Sequence, residues 1–267
     1  MTFTSRTPRV VAARRLQRRR DRDRTGRFLA EGPQAVRSAL AAGVVVELFG
    51  TVAALSRHAE LAARAPEASP VTEEALAGLA ETMHPQGLVA VCEQLDVPLS
   101  AVAARRLVAV VADISDPGNA GTVLRTADAA GAGAVVFAGE AVDPYNGKCV
   151  RASAGSLFQV DVVRERSPSV VVSALRGAGM QLLAATGHGE DDLDDLLDAG
   201  ALAAPTAWLF GSEAHGLPGD LLARADRRVR VPVYGGAESL NLAAAAAVCL
   251  YASARALRAP VQSPRPA

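Results

Sequence analysis

Residues 107 to 114 read Leu-Val-Ala-Val-Val-Ala-Asp-Ile, an apolar run with a single carboxylate near its end. A strand with one face in water alternates polar and apolar residues, because successive side chains point to opposite faces. A run without alternation is buried on both faces, as in a parallel sheet covered by helices on either side. The pattern beyond it fits that role. A polar loop at 115–119 leads into a helix to about residue 130 and a strand at 134–138. A short helix at 148–154, a strand at 158–163, a helix at 169–177 and a strand at 181–185 follow. An acidic amphipathic helix or turn covers 190–198, strands return at 207–210 and 228–231, and an alanine-rich helix from Ser239 closes the region. Such alternation specifies an open parallel α/β sheet, in which ligands bind beyond the carboxyl ends of the strands.

The N-terminal part alternates too. Pro33 to Ala42 has proline in its first turn and Gly43 at its end, as helices often do. Residues 44–49 are rich in β-branched side chains and read as a strand. A helix at 53–65 stops at Pro66, a short strand falls at Val71, and Thr72-Glu73-Glu74 opens a further helix with a capping residue and two acids. Residues 88–92 form a last strand, and 94–106 carries little pattern and reads as a linker. A chain of 267 residues has room for two such domains.

Net charge is zero, but its distribution is uneven. Ten arginines against Asp21 and Asp23 give the first 27 residues +8, leaving −8 for the remainder. A block of this kind points to nucleic acid as a partner, or to a solvated tail in a chain whose only lysine is Lys148. Aromatic residues make up 4%, too few for a broad base-stacking platform. No apolar run is long enough to span a bilayer, and the N-terminus lacks the apolar core of a secretory signal, so a cytoplasmic location is expected. Cys92, Cys149 and Cys249 are scattered without metal-ligand spacing; they read as buried reduced thiols, and no metal is expected.

Three blocks stand at strand ends. In the first, Asp116-Pro117-Gly118-Asn119-Ala120-Gly121 leads into Thr122-Val123-Leu124-Arg125-Thr126-Ala127. The glycines allow a sharp turn, Asn119 is suited to cap the helix, and Val123, Ala127 and Ala130 share the face toward the sheet. Arg125, about 200° round from Val123, points away from that core and could grip a phosphate. The second block is Leu209-Phe210-Gly211-Ser212-Glu213-Ala214-His215-Gly216-Leu217, where a buried strand ends in glycine beside a carboxylate and a histidine. A lone loop histidine such as His215 is more often incidental than catalytic. The third runs from Val231-Pro232-Val233 through Gly235-Gly236 to Ser239-Leu240-Asn241-Leu242, placing a polar pair on the first turn of a slim helix. No G-x-G-x-x-G, P-loop or G-x-S-x-G pattern occurs in these blocks, so a dinucleotide-dependent oxidoreductase is a weak alternative.

Together, in this order, the blocks closely resemble the SpoU (TrmH-type) RNA ribose 2′-O-methyltransferases of the SPOUT superfamily. The family patterns are approximately D-P-x-N-x-G-x-x-x-R-T-A, G-x-E-x-x-G and I-P-x-(loop)-S-L-N-V. Val231 replaces isoleucine here, and Leu242 replaces valine. Phe28-Leu29-Ala30-Glu31-Gly32 and Pro85-Gln86-Gly87 also match the family's N-terminal substrate-binding domain.

The resemblance implies a small α/β substrate-binding domain followed by a parallel-sheet SPOUT domain with a deep trefoil knot. It divides the chain into a basic arm (1–27), an RNA substrate-binding domain (28–95), a linker (96–106), the methyltransferase domain (107–260) and a tail (261–267). It implies S-adenosyl-L-methionine as cofactor, bound around Phe210, Gly211, Val231, Ser239 and Leu240, and a homodimer with the site near its interface. Asn119, Arg125, Glu213, Ser239 and Asn241 match the family's active-site positions. The implied reaction is 2′-O-methylation of RNA, with ribosomal RNA (23S favoured, in housekeeping or in antibiotic self-resistance) ahead of transfer RNA. A paralogue that binds RNA without catalysis is the other alternative.

Overall fold

The computed structural model describes residues 2–212 and 214–258. The chain packs as two units: Met1–Asp96 with Asp116–Arg125 and Val142–Asp161, and Val97–Ser115 with Thr126–Ala141 and Val162–Ala267.

The first unit opens with α1 (Pro8–Arg15) and α2 (Arg19–Thr25), then β1 (Arg27–Glu31), α3 (Pro33–Ala41), β2 (Val45–Thr51), α4 (Val52–Arg57) and α5 (Ala59–Arg64). β3 (Ala68–Val71), α6 (Glu73–Leu79) and β4 (Leu88–Glu93) complete its four-stranded sheet, ordered β1-β4-β2-β3. β4 runs antiparallel to both β1 and β2, and β2 is parallel to β3. The helix expected over 53–65 is two helices, because the backbone leaves helical geometry at His58 (φ −116°, ψ 45°). Thr72 caps α6 as its sequence position suggests, its hydroxyl accepting from the Ala75 N–H at 3.2 Å.

Within the basic arm, α1 and α2 pack as part of the first unit. Val10, Ala13 and Leu16 recur at three-residue spacing and are buried in one apolar cluster with Leu76 and Leu79 of α6 and with Phe49 and Val89 of the sheet. Arg22 is buried as well: its guanidinium reaches Asp143 at 2.6 Å and donates to the Leu16 and Gln17 carbonyls at 2.9 Å. Arg9 bridges Glu47 and Glu67. Part of the N-terminal charge is therefore neutralised within the fold, and the charge count alone overstates the free basic surface.

The second unit holds β5 (Leu107–Ala112), from which α7 (Pro117–Ala130) leads to β6 (Ala134–Ala138). After α8 (Gly147–Ala152), which belongs to the first unit, come β7 (Asp161–Glu165), α9 (Pro168–Gly177), β8 (Gln181–Ala185), β9 (Asp191–Asp192) and α10 (Leu193–Asp198). β10 (Thr206–Phe210), α11 (Gly219–Arg224), β11 (Arg227–Arg230) and α12 (Leu242–Arg258) finish it. The seven strands are ordered β7-β6-β5-β10-β8-β11-β9, with parallel registers from β6 to β9. All six residues of β5 are buried, as its lack of alternation demands. Val108, Val110 and Ala112 share a cluster with Val171 and Leu175 of α9 and Leu221 of α11. On β10, Trp208 turns toward α12, its indole N–H donating to the buried Ser253 hydroxyl at 2.9 Å. The stretch 96–106, expected as a linker, carries a 3-10 helix (Leu99–Ala104) that buries Val102 in the α9 cluster. The strand expected at 158–163 begins later, at Asp161, after a 3-10 turn over Ser156–Phe158.

All three cysteines are free and buried, and burial in apolar surroundings pushes each thiol far above its ordinary pKa. Since only the thiolate attacks a disulfide reagent, none should react with Ellman's reagent in the native protein at mildly alkaline pH, and all three should react after unfolding in denaturant. Rapid labelling of the native chain would contradict this packing.

Candidate active site

The carboxyl end of β10 sets the geometry. Beyond Phe210 the chain folds back on itself: the Ser212 N–H donates to the Gly216 carbonyl at 3.1 Å and the Gly216 N–H to the Ser212 carbonyl at 2.9 Å. This closes a short loop that passes against the backbone of Gly211. A Cβ at Gly211 would sit 2.1 Å from the Gly216 carbonyl carbon and 2.2 Å from the Leu217 nitrogen, so only glycine fits there. His215 lies at the exposed tip of the loop. Glu213, expected among the catalytic residues, lies outside the described residues.

The third block differs from expectation at the start of its helix. Ser239 and Asn241 do not sit on the first turn of α12, which begins at Leu242. Asn241 precedes the helix and caps it, its side-chain oxygen accepting from the Ala243 and Ala244 N–H groups at 2.9 and 3.4 Å. Ser239 and Leu240 therefore lie outside the helix, in irregular chain, and are exposed. The loop leading to them is tethered at Tyr234, whose hydroxyl donates to Asp194 of α10 at 2.9 Å.

A cavity of about 420 Å³ opens beyond the carboxyl ends of β8, β10 and β11, within the roughly 300–1,000 Å³ of small-molecule sites. Phe210, Gly211, Val231, Ser239 and Leu240, the positions expected around a cofactor, all line it, as does Asn241. Its walls combine an aromatic ring and aliphatic side chains with the hydroxyl of Ser239, the amide of Asn241 and the carboxylate of Glu238. Apolar walls suit a purine face, and hydroxyl, amide and carboxylate groups suit a ribose and an ammonium, so this lining fits a nucleoside with a charged tail. Thr186 and Gly187, at the end of β8, also line the cavity and were not among the expected residues. Their signal was present: a Thr-Gly pair at a strand's carboxyl end stands as Gly211 does on β10.

Asn119 and Arg125 lie on α7, in the segment that packs with the first unit. Asp116, not Asn119, caps this helix: its Oδ1 accepts the Asn119 N–H at 2.8 Å, while Oδ2 meets Lys148 at 2.8 Å. The Lys148 ammonium first, and the Asn119 N–H second, hold the Asp116 carboxyl below the usual carboxylate range. Gly121 lets α7 approach α8, since a Cβ there would come within 2.4 Å of the Cys149 carbonyl oxygen. Val123, Ala127 and Ala130 are buried, and Arg125 is exposed on the opposite side, as their spacing requires. Among the described residues no helix is long and apolar enough to cross a membrane, and no cluster of His, Cys, Asp and Glu is arranged to hold a metal.

A seven-stranded parallel sheet with a glycine-shaped cavity beyond its strand ends, in a chain that also carries a small α/β unit, meets its counterpart among known proteins. The chain belongs to the SpoU rRNA methylase family, whose model matches residues 106–251; residues 7–90 match the MRM3-like substrate binding domain. The 23S rRNA (guanosine(2553)-2'-O)-methyltransferase RlmP of Bacillus subtilis is 34% identical over 239 residues, which are 89% of this chain and 92% of that protein. Among solved structures, the AdoMet-bound rRNA methyltransferase from Sinorhizobium meliloti superposes with a TM-score of 0.85 at 32% identity, over 96% of this chain and 98% of that one. The SpoU methyltransferase AviRb from Streptomyces viridochromogenes, solved in complex with AdoMet, gives a TM-score of 0.81 at 32% identity, covering 93% and 98% of the two chains.

Proposed function

We propose that this chain transfers a methyl group from S-adenosyl-L-methionine to a ribose 2′-hydroxyl of ribosomal RNA, 23S in particular. The carrying observation is the 420 Å³ cavity at the carboxyl ends of β8, β10 and β11, which gathers Phe210, Gly211, Val231, Ser239 and Leu240 on one wall system. The match of nearly the whole chain to ribosomal RNA methyltransferases favours that substrate over transfer RNA. In this reading the backbone at Gly211, Val231 and Leu240 receives the adenosine, and the knot implied by the family bends the cofactor. The bound cofactor supplies an electrophilic methyl on a sulfonium.

The remaining work falls to side chains: orient the 2′-hydroxyl, hold its phosphate and keep attack in line. A guanidinium is a hydrogen-bond donor and a poor base, so the part of Arg125 is to donate. It grips the target phosphate and polarises the 2′-hydroxyl, whose proton passes to a phosphate oxygen as the 2′-oxygen takes the methyl and S-adenosylhomocysteine leaves. Asn119, Ser239 and Asn241 position the nucleotide by hydrogen bonds, and Glu213 orients the polar network. The division of labour gives 28–95 to RNA recognition and 107–260 to transfer, in the cytoplasm where ribosomal RNA is made and modified. Comparing mapped 2′-O-methyl sites in ribosomal RNA from a deletion strain and its parent should reveal one position lost. Identical maps would sink the proposal.

The working form in this reading is a homodimer. α12 leaves Val248 and Tyr251 42% and 53% exposed on the side that also carries the exposed Ala244, an apolar stripe ending at Arg255 and suited to a second copy. Light scattering should give twice the chain mass, and Val248→Asp should give the single-chain mass. A wild-type monomer would remove this part of the reading.

A further inference from the structure

A second cavity of about 420 Å³ lies wholly within the first unit. Its lining includes Pro33 at the start of α3, Ala53 and Arg57 on α4, Glu73 at the start of α6, and Pro85 and Gln86 in the turn before β4. The walls are preset by backbone contacts. Gly87 has φ +84°, and a Cβ there would come within 2.6 Å of the Ala54 Cβ. The Thr51 N–H donates to the Gly87 carbonyl at 3.1 Å, and the Thr51 hydroxyl caps α4 by accepting from Ala54 at 3.2 Å. Gly32, at φ +90°, leaves room for the Gln86 amide to lie along its backbone. The turn at 85–87 is thus pinned to α4 and to the chain entering α3.

The chemistry of the lining is mixed. Proline rings and alanine methyls offer an apolar surface, while the Arg57 guanidinium, the His58 imidazole, the Glu73 carboxylate and the Gln86 amide also line the cavity, with the Thr51 hydroxyl already engaged in capping α4. Arg57, Glu73 and Gln86 are exposed, and none of them forms a hydrogen bond or ion pair with another described residue. A cation alone would suit any stretch of RNA backbone. A carboxylate in the same lining repels phosphate and suits a group that presents hydrogen-bond donors, such as a base edge. Guanine offers two adjacent donors, N1–H and N2–H, that match the two oxygens of a carboxylate. Glu73 also lies in the first turn of α6, where an acid favours the helix dipole, but Glu74 already fills that role beside it.

We propose that this cavity receives an unpaired guanosine of the RNA substrate, with the base on Pro33 and Pro85, its donor edge on Glu73, its acceptor on the Gln86 amide and its phosphate on Arg57. Sequence-specific RNA recognition works in this way, on bases splayed out of the helix. The proposal rests on the reading of the chain as a ribosomal RNA methyltransferase and assigns its first unit a nucleotide-reading site separate from the cofactor cavity.

The test uses the full chain with an unmodified 23S rRNA transcript at one salt concentration. Arg57→Ala and Glu73→Gln should each raise KM for the transcript about tenfold, as loss of a hydrogen bond to a charged group does, with kcat and S-adenosylmethionine affinity unchanged. Ala53→Trp fills the cavity without altering charge and should weaken binding at least as much. Arg64→Ala, an exposed arginine on α5 outside the cavity, should change affinity by less than about twofold through general electrostatics. Equal losses for Arg57→Ala and Arg64→Ala, or normal binding by Ala53→Trp, would overturn the proposal while leaving the methyltransferase reading intact. If the wild type methylates no transcript, that reading fails instead. Guanosine monophosphate then decides the cavity: amide NMR shifts at 85–87 that vanish in Ala53→Trp support it, and their absence in the wild type rejects it.

Discussion

Arg125→Ala is expected to reduce kcat for methyl transfer by about 10²–10³-fold, the usual cost of deleting one preorganised donor aimed at developing charge. S-adenosylmethionine affinity should be unchanged, because the cavity proposed for the cofactor is lined by other elements. The arginine suits this test because nothing structural depends on its side chain. It is exposed, and the helix beneath it is fixed by Val123, Leu124 and Ala127, all fully buried. Arg125→Lys should recover only part of the loss, since an ammonium keeps the charge but not the planar fork that can hold a phosphate and the hydroxyl together. Single-turnover kinetics with calorimetric cofactor titration separates the two quantities. Full activity in Arg125→Ala would remove the residue from the mechanism.

Asp143→Ala is expected to destabilise the first unit by about 3–5 kcal/mol, the range for stranding one partner of a buried ion pair. Both side chains are 3% exposed, and the contact is two-pronged, with Nε at 2.7 Å and Nη2 at 2.6 Å from the same carboxylate oxygen. The other oxygen accepts the Tyr145 N–H at 2.9 Å. Without Asp143 the guanidinium keeps only its two backbone carbonyl acceptors and remains a buried uncompensated charge. Replacing both residues by apolar ones, Arg22→Met with Asp143→Leu, should restore much of the loss, because neither charge is then left in the interior. Urea unfolding followed by far-UV circular dichroism reads this directly. A change below about 1 kcal/mol for Asp143→Ala would mean that water reaches the pair.

This ion pair also marks where sequence reading stops. The arginine block is plain in the first 27 residues, but Arg22 and Asp143 are 121 positions apart, and no local pattern joins them. The small apolar stripe Val10-Ala13-Leu16 was present and was masked by the charge around it. By contrast, β5 was legible from its missing alternation, and Gly211 and Arg125 from their places after a strand and on a helix face. Burial on both faces and helical periodicity are local properties of sequence. The start of α12 differs because a serine and an asparagine are both good caps, and only the backbone decides which is used: Asn241 caps, so Ser239 stays outside the helix. Thr186 and Gly187 were missed because a strand end becomes a cavity wall only through the order of strands, and β8 reaches the site by lying beside β10.

The central claim is the chemistry at the β10 strand end, and one measurement bears on it most directly. The purified chain is incubated with methyl-labelled S-adenosylmethionine and unmodified 23S rRNA, and the RNA is digested to nucleosides for mass spectrometry. The account predicts label in a single 2′-O-methylnucleoside, abolished when Gly211→Val blocks the backbone approach that shapes the cavity. Label in a base-methylated nucleoside, or none in the RNA while the cofactor binds, would contradict it.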